Sequence, residues 1–188
     1  MEQKIDLLTS LAGDDHDGAG GGAPLPPRLR NTKEVGALRP LNLRQLRVAG
    51  MGQVSLMRIL MTNACSFNCH YCPMRRDRSM PRTLLKPEEL VRIFLEGHRR
   101  GWCSGLFITT GIPGRPTKVM DDLIAVLELL RGRYAFAGYV HVKMVPGGQP
   151  AQIERLTALA SRVSLNLEAP CGSSLAKIAP EKNLETSL

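Results

Sequence analysis

The chain has 188 residues, a length that suggests a single domain with enough buried surface for a hydrophobic core. Its 25 Lys and Arg residues outnumber its 17 Asp and Glu residues, and the net charge of +8 favours anionic partners such as nucleic acid, although the basic residues are spread along the whole chain. No apolar run approaches the ~18 residues of a membrane-spanning helix, and the N-terminal residues lack the layout of a signal peptide. The odd number of cysteines, five, indicates a reducing cytosol, where clustered cysteines are metal ligands more often than disulfides. We therefore expect a cytoplasmic protein without a membrane contact.

The first 52 residues are predicted to form an N-terminal extension. Met1–Leu11 can form one short helix, and Gly13–Pro27 is rich in glycine and proline, which is typical of a flexible linker. Arg28–Gly52 is basic with scattered leucines, and we interpret it as a solvated or loosely docked lead-in. A nucleic-acid-binding arm is the alternative, which the lack of interleaved aromatic residues for base stacking disfavours. Residues 53–188 are then the core domain.

Strands and helices are predicted to alternate from Val54 onward. Apolar runs predict strands at Val54–Met61, Leu106–Thr110, Tyr139–Val145 and Val163–Leu167. The helical spacing of apolar residues predicts helices at about Pro87–Arg100, Thr117–Arg131 and Pro150–Ala160, and a short one from about Ser173. This alternation indicates about four parallel βα units joined by right-handed crossovers.

The third and fourth predicted strands each have one polar face. This face carries Tyr139, His141 and Lys143 in the third strand and Ser164, Asn166 and Glu168 in the fourth. Parallel strands that are covered on both faces are almost continuously apolar, so we expect the polar face to line a cavity. The pattern predicts an α/β fold with a partial, partly open parallel βα barrel, whose lumen holds a ligand at the C-terminal strand ends. A doubly wound sheet is the alternative.

Three of the five cysteines fall within eight residues, directly after the first strand. Cys65, Cys69 and Cys72 are separated by three and then two residues, and converging thiolates of this kind suit an iron–sulfur cluster or zinc. Three ligands leave one iron of a four-iron cluster open to a substrate or cofactor. A structural zinc site with His70 as the fourth ligand is the alternative.

The cysteine motif resembles the signature of the radical S-adenosylmethionine (SAM) enzymes. The spacing Cys65-x3-Cys69-x2-Cys72, the aromatic Tyr71 before the last cysteine and the upstream strand all agree with that signature. The resemblance implies a [4Fe-4S] cluster held by the three cysteines, with SAM bound to the open iron. It also implies an external one-electron donor such as flavodoxin or ferredoxin. Cleavage of SAM would give a 5′-deoxyadenosyl radical that takes a hydrogen atom from an unknown substrate, nucleic acid included.

The resemblance assigns expected SAM contacts to two loops. Tyr71 corresponds to the family aromatic that contacts the adenine, although it could also close the loop as a core residue. Thr109, Thr110 and Gly111 stand where the family has a glycine-rich segment that binds the methionyl amino group. Many members carry Gly-Gly-Glu there and this chain does not, so the expectation rests on position, with Thr hydroxyls and backbone carbonyls as acceptors. An ordinary turn glycine is the alternative for Gly111.

The polar ends of the third and fourth strands extend the expected site. Asn166 and Glu168 stand where the family commonly binds the ribose or methionyl part of SAM, and an amide and a carboxylate suit hydroxyl and ammonium groups. Glu168 could instead form a salt bridge in the lumen with Lys143 or Arg58. His141 and Lys143 could position a substrate or donate a proton, with a structural role as the alternative for His141.

The remaining two cysteines lie outside the motif. Cys103 lies beside Trp102 and before the second strand, which is typical of a core residue. Cys171 follows the fourth strand, nearer to the expected mouth of the lumen. A second cluster or a thiol that quenches radicals is a weak hypothesis for Cys171, because it stands alone.

Four further segments resemble a subgroup described as DNA modification or repair radical SAM proteins. They are Leu60–Cys65, Leu106–Ile112, Tyr139–Gly147 and Ser164–Pro170, and the similarity covers about Val54–Asn183. The label of that subgroup rests partly on a C-terminal helix-hairpin-helix segment that these 188 residues do not contain. The sequence therefore predicts the superfamily more firmly than a nucleic-acid substrate.

Family members usually build their barrel from six βα units, whereas four strands are predicted here. We therefore expect a truncated chain, which can hold the cluster but binds SAM weakly unless another chain completes the barrel. A short barrel that closes by dimerisation is the alternative. A rival function from a different class is a zinc-stabilised, basic nucleic-acid-binding module without catalysis.

Overall fold

The computed structural model describes residues 2–12 and 42–183 of the chain. The predicted linker Gly13–Pro27, most of the basic lead-in and residues 184–188 lie outside the described residues. None of the described helices is long and apolar enough to cross a membrane. The predicted N-terminal helix is confirmed, since Glu2–Leu11 is α-helical.

The described residues form strands and helices in the predicted order. The strands are β1 (Asn42–Val48), β2 (Gly52–Leu60), β3 (Gly105–Thr109), β4 (Tyr139–Lys143) and β5 (Arg162–Ser164). The helices are α1 (Glu2–Leu11), α2 (Pro87–Arg99), α3 (Pro116–Glu128), α4 (Pro150–Leu159) and α5 (Gly172–Ile178), with a π-helical turn at Leu129–Arg133 directly after α3. The three long crossover helices α2, α3 and α4 each begin at a proline, whose fixed φ and missing N–H suit the first helical turn.

The sheet has the strand order β1-β2-β3-β4-β5, in which β2 to β5 are parallel. Because the order of the parallel strands follows the chain without a reversal, right-handed crossovers place α2, α3 and α4 on one face of the sheet. A doubly wound sheet needs a reversal and helices on both faces. The described sheet therefore agrees with the predicted partial βα barrel and not with the doubly wound alternative.

The edge strand β1 is a feature that the sequence does not predict, and the interpretation of residues 42–48 as a loosely docked lead-in is wrong. Leucine and arginine recur every three residues in its sequence NLRQLRV, which hides the period of two that is typical of a strand. The strand runs antiparallel to β2, and Gly50 and Gly52 take the positive φ that the connecting turn requires. The predicted domain boundary at residue 52 falls within this hairpin.

The main hydrophobic core lies between the outer face of the sheet and the helices. Alternate strand residues on this face are buried, namely Met57, Ile59, Leu106, Ile108, Val140 and Val142. The helices contribute Leu90, Phe94, Leu123, Leu127 and Leu156. This packing fixes the direction of the strands, and therefore the place at which their C-terminal ends meet.

The luminal face of the sheet changes from apolar to polar along the strands. At the N-terminal strand ends, Val54 and Tyr139 belong to a small apolar cluster. In the middle, the Arg58 guanidinium carbon lies 4.5 Å from the centre of the Phe107 ring, and the Phe107 and His141 rings meet edge to face at 4.8 Å. This layer closes the lumen below the strand ends.

Part of the predicted polar face reaches a cavity. His141 is buried, and its Nε2 lies 2.8 Å from Ser164 Oγ, so it connects β4 to β5 in agreement with the structural alternative. Lys143, two residues further along β4, lines a cavity together with Thr109 of β3. The polar lining is therefore concentrated at the C-terminal strand ends.

Helix α1 is part of the folded core. Ile5, Leu8 and Ala12 are buried in the main hydrophobic core. Lys4 Nζ lies 3.0 Å from Glu89 Oε2 in the first turn of α2. The N-terminal helix thus contributes buried apolar surface to the core domain although residues 13–41 separate the two in sequence.

The docking of α1 predicts a measurable stability difference between two neighbouring leucines. Leu8→Ala should lower the free energy of unfolding by about 2–5 kcal/mol, because it leaves a cavity in the core. Leu7→Ala, at a half-buried position of the same helix, should cost clearly less. Urea denaturation measures both changes, and equal effects would contradict the docking of α1.

Candidate active site

One cavity of about 340 Å³ lies at the C-terminal ends of the parallel strands. It is lined by every residue for which the sequence predicts a cluster or SAM contact, namely Cys65, Cys69, Tyr71, Cys72, Thr109, Thr110, Gly111, Asn166 and Glu168. These residues come from the loop after β2, the end of β3 and the chain after β5. The fold thus brings three distant segments to one concave surface.

Two residues directly after β2 form hydrogen bonds with the segment that follows the cysteine motif, where the chain comes back to the end of the strand. Thr62 Oγ1 donates to the Thr83 carbonyl at 2.7 Å, and Asn63 Nδ2 donates to the Pro81 carbonyl at 2.8 Å. The Thr83 N–H donates back to Asn63 Oδ1 at 2.8 Å. The two ends of the loop that carries the cysteines are therefore tied together at the strand end.

Arg82 fixes the interior of the same loop. Its guanidinium donates to the carbonyls of Asn63 at 2.6 Å and Met74 at 2.7 Å. It also donates to the carbonyls of Arg75 at 2.7 Å and Arg78 at 2.9 Å. Five N–H donors in a rigid planar fork make arginine suited to collecting several carbonyls at once. The loop therefore has a defined shape that depends on one side chain.

Gly111 allows the chain after β3 to press against the cysteine loop. Its N–H donates to the Thr62 carbonyl at 2.7 Å, and a Cβ at this position would come within 2.2 Å of the Ala64 carbonyl oxygen. The neighbouring Ile112 carbonyl accepts the Ser66 N–H at 2.8 Å. Glycine is required here by close approach of two backbones, a reason more specific than the ordinary turn.

The three thiols of the motif line the cavity as free cysteines. Cys69 is buried and Cys65 and Cys72 are half-buried. Burial raises the pKa of the Cys69 thiol, with the Lys182 charge opposing it, and burial is also the main cause that raises the pKa of Cys72. The Met74 N–H lies 3.4 Å from Cys72 Sγ, a contact that can stabilise a thiolate.

The donor set, three thiols that line one cavity, is of the kind that suits an iron–sulfur cluster. Among the described residues, no three His, Cys, Asp or Glu side chains are placed to hold one metal ion together. A four-iron cluster binds each cysteine through a different iron, so its ligand sulfurs do not need to meet at one point. His70 is exposed, and it is not among the residues that line the cavity.

Glu168 has a partner that the sequence does not predict. The Lys182 ammonium lies 3.0 Å from Glu168 Oε1 and 3.2 Å from the Tyr71 hydroxyl. The structure therefore shows a salt bridge between Glu168 and Lys182. Burial, followed by the hydrogen bond and the charge of Glu168, raises the pKa of Tyr71 far above its usual range.

The chain after β5 departs from the predicted strand Val163–Leu167. The strand ends at Ser164, and both Leu165 and Asn166 line the cavity, which strict alternation would forbid. Glu168 has a φ of 65°, an uncommon conformation for a residue with a side chain. Asn166 and Glu168 reach the cavity from an irregular segment.

The two other cysteines have opposite environments. Cys103 is buried, in agreement with the predicted core position, and burial raises its pKa to about 12. Cys171 is exposed just before α5, with its Sγ 3.3 Å from the hydroxyl oxygens of Ser173 and Ser174. These hydrogen bonds lower the pKa of Cys171 to about 7. It is not among the residues that line the cavity.

Comparisons with known proteins agree with the geometry. The family model of the Radical SAM superfamily matches residues 59–188. The fold is similar to that of HydG, a maturase of the [FeFe]-hydrogenase, with a TM-score of 0.55 and 19% identity over 68% of this chain and 29% of that chain. HydG from Carboxydothermus hydrogenoformans gives a TM-score of 0.53 and 19% identity over 68% of this chain and 30% of that chain. The chain thus spans less than a third of either HydG chain, and a search of the curated proteins found no match.

Arg82→Lys tests the dependence of the loop on the guanidinium. A lysine cannot reproduce the fork, so the free energy of unfolding should fall by about 1.5–3 kcal/mol. Protease cleavage within residues 73–81 should also become faster. Arg78→Lys is the matched control, because the Arg78 side chain is exposed and only its carbonyl contacts Arg82. Equal protease sensitivity of the two variants would contradict this role.

The Cys171 environment predicts a pH-dependent reactivity. The thiolate is the nucleophile, so alkylation of Cys171 by iodoacetamide should rise steeply as the pH increases through about 7. Cys103 should react little in the same range, because its pKa is about 12 and it is buried. Replacing Ser173 and Ser174 by Ala should move the rise to higher pH. Peptide mass spectrometry measures the rates, and an unchanged profile in the double variant would show that the serines are not the cause.

Proposed function

Since the chain belongs to the radical SAM superfamily, we propose that it is, or forms part of, an enzyme that cleaves SAM reductively to a 5′-deoxyadenosyl radical for hydrogen abstraction. One observation carries this proposal. The thiols of the Cys-x3-Cys-x2-Cys motif and polar groups from two other segments line one cavity at the C-terminal strand ends. In barrels of parallel strands, chemistry is concentrated at that end.

Cys65, Cys69 and Cys72 are the proposed ligands of a [4Fe-4S] cluster. When bound, the cluster would supply the electron that cleaves SAM. The chain contributes a loop held in shape by Arg82, with one thiol buried and two half-buried. The Met74 N–H beside Cys72 Sγ would donate a hydrogen bond to a ligand sulfur, which is a recognised way of tuning a cluster.

Tyr71, Thr109, Thr110 and Asn166 are the proposed SAM contacts. The cavity volume of about 340 Å³ lies in the range of small-molecule sites. Thr109 is buried and Thr110 is half-buried, and the hydroxyls and carbonyls of these two residues are acceptors that suit an ammonium group. The exposed Asn166 amide suits ribose hydroxyls. Gly111 serves the site by letting the β3 loop approach the cysteine loop.

Glu168 is proposed to contact SAM only together with Lys182. Its carboxylate is already paired with the Lys182 ammonium at 3.0 Å. A cationic group of SAM would therefore have to compete with the Lys182 ammonium for this carboxylate. We therefore assign Glu168 a positioning role first and a direct contact to SAM second.

Nucleic acid is the substrate class that we propose as a candidate. The assignment to a DNA modification or repair subgroup rests on four sequence segments, and the solved structures similar in fold are HydG proteins. We keep nucleic acid as one candidate because of the net charge of +8.

We propose a small one-electron protein such as flavodoxin or ferredoxin as the donor. Arg78 is exposed on the loop after Cys72, where an acidic carrier would come close to the cluster. The nearby Arg76 is paired with Asp77 and Glu181. Five free cysteines fit a reducing compartment such as the cytoplasm.

Anaerobic reconstitution tests the proposal against the zinc-stabilised module. The protein is expected to become brown and to bind about four irons and four sulfides per chain. SAM added to the reduced cluster should change the electron paramagnetic resonance (EPR) spectrum, and 5′-deoxyadenosine should form. A colourless protein that holds one zinc would support the rival.

Cysteine variants assign the ligands. Replacing Cys65, Cys69 or Cys72 by Ala should abolish the cluster, because a two-cysteine set cannot hold it stably. Cys103→Ala and Cys171→Ala are the matched controls, and both should keep the iron content of the unmodified protein. Loss of the cluster in Cys171→Ala alone would refute the assignment.

A further inference from the structure

The segment that follows β5 packs against the cysteine loop. The His70 N–H donates to the Ile178 carbonyl at 2.8 Å, and the Asn68 N–H donates to Glu181 Oε2 at 3.1 Å. Leu175 and Ala179 pack with Cys69 in a separate buried cluster. We call residues 169–182 the clasp, because they hold the cysteine loop from outside the barrel sheet.

Lys182 ends the clasp and reaches back into the cavity. Its ammonium bridges the Tyr71 hydroxyl at 3.2 Å and Glu168 Oε1 at 3.0 Å. The side chain is 13% exposed and that of Glu168 is 16% exposed. Charged groups this buried are retained only with partners, since removing one member leaves the other charge uncompensated. The bridge joins the cysteine loop, through Tyr71, to the chain after β5.

Lys182 lines the same cavity as the three thiols of the cysteine motif. Three charged side chains besides the thiols line the cavity, namely Lys143, Glu168 and Lys182. The Lys182 ammonium contacts the hydroxyl of Tyr71, which stands directly before Cys72 in the motif. A charge in a partly buried site acts more strongly than one in water. Its position therefore matches a group that offsets negative charge at the thiols.

We propose that Lys182 is a positioning residue of the cluster site, which ties Tyr71 to Glu168 and stabilises the reduced cluster through its positive charge. The inference rests on the proposed function. A [4Fe-4S]2+ core with three thiolates carries one net negative charge, and the electron from the external donor makes it two. No bond to Lys182 forms or breaks, and the ammonium keeps its proton. A nearby cation favours the more negative state, so its removal should make reduction harder.

Three variants distinguish the effect of the positive charge of Lys182 from the effect of its hydrogen bonds to Tyr71 and Glu168. Lys182→Gln removes the charge but keeps a donor for Glu168, Lys182→Met removes both, and Lys182→Arg keeps both. Lys177→Met is the matched control, because Lys177 is an exposed lysine on α5 within the same clasp. Each protein is reconstituted with iron and sulfide, its iron content is measured, and its midpoint potential is determined by EPR-monitored redox titration.

The expected result is a more negative midpoint potential in Lys182→Gln at unchanged iron content. If the ratio of reduced to oxidised cluster falls about tenfold at a fixed potential, the midpoint potential has become more negative by about 59 mV, the value for a one-electron couple. Lys182→Arg and Lys177→Met should titrate like the unmodified protein. Lys182→Met should additionally weaken SAM binding, measured by equilibrium dialysis, because Tyr71 and Glu168 both lose the hydrogen bond to the Lys182 ammonium that helps to hold them in place.

Two outcomes would overturn the inference while leaving the proposed function intact. Equal potentials in the unmodified protein and Lys182→Gln would refute the charge role. Equal SAM affinity in Lys182→Met and Lys182→Gln would refute the role of the Lys182 hydrogen bonds in holding Tyr71 and Glu168. Failure of the unmodified protein to bind a cluster would instead refute the proposed function, and iron analysis reveals this before any variant is compared.

Discussion

The site depends on the closure of the cysteine loop onto the end of β2. Thr62 and Asn63 hold the returning chain at Pro81 and Thr83, and Arg82 collects four carbonyls inside the loop. A loop that exposes many carbonyls would otherwise be solvated and variable in shape. The Arg82 guanidinium holds the loop in a shape in which the three thiols line one cavity. Local hydrogen bonding, rather than the thiols themselves, therefore sets the geometry of the motif.

The winding of the chain determines what the loop meets. Because β2 to β5 follow one another in order, their C-terminal ends form one rim. The crossover helices cover the outer face of the sheet and leave the luminal face free. The lumen is closed lower down by the layer of Arg58, Phe107 and His141, so polar groups are open to ligand only at the rim. Gly111 then lets the rim at β3 contact the loop directly. Fold and motif are thus coupled through backbone contacts.

The sequence predicts those features that depend on local patterns. Helix starts are marked by prolines, strands β2 to β4 by apolar runs, and the ligand set by cysteine spacing. Features set by contacts between distant residues are not predicted. Lys182 meets Tyr71 across 111 residues, and β1 forms because β2 offers it an edge. The strand predicted at Val163–Leu167 is shorter because the chain turns into the rim after Ser164. No local pattern marks any of these three.

The burial of the thiols and the negative charge of a bound cluster act against each other at this site. Burial raises the pKa values of Cys69 and Cys72, which disfavours their thiolate forms. Cluster binding requires thiolates, and it must therefore release protons and introduce negative charge into a partly buried site. The carbonyls collected by Arg82 cannot offset this charge, whereas N–H groups and cations can. The Met74 N–H and the Lys182 ammonium are groups of this kind beside the ligands, which is why residues far from the motif in sequence belong to its chemistry.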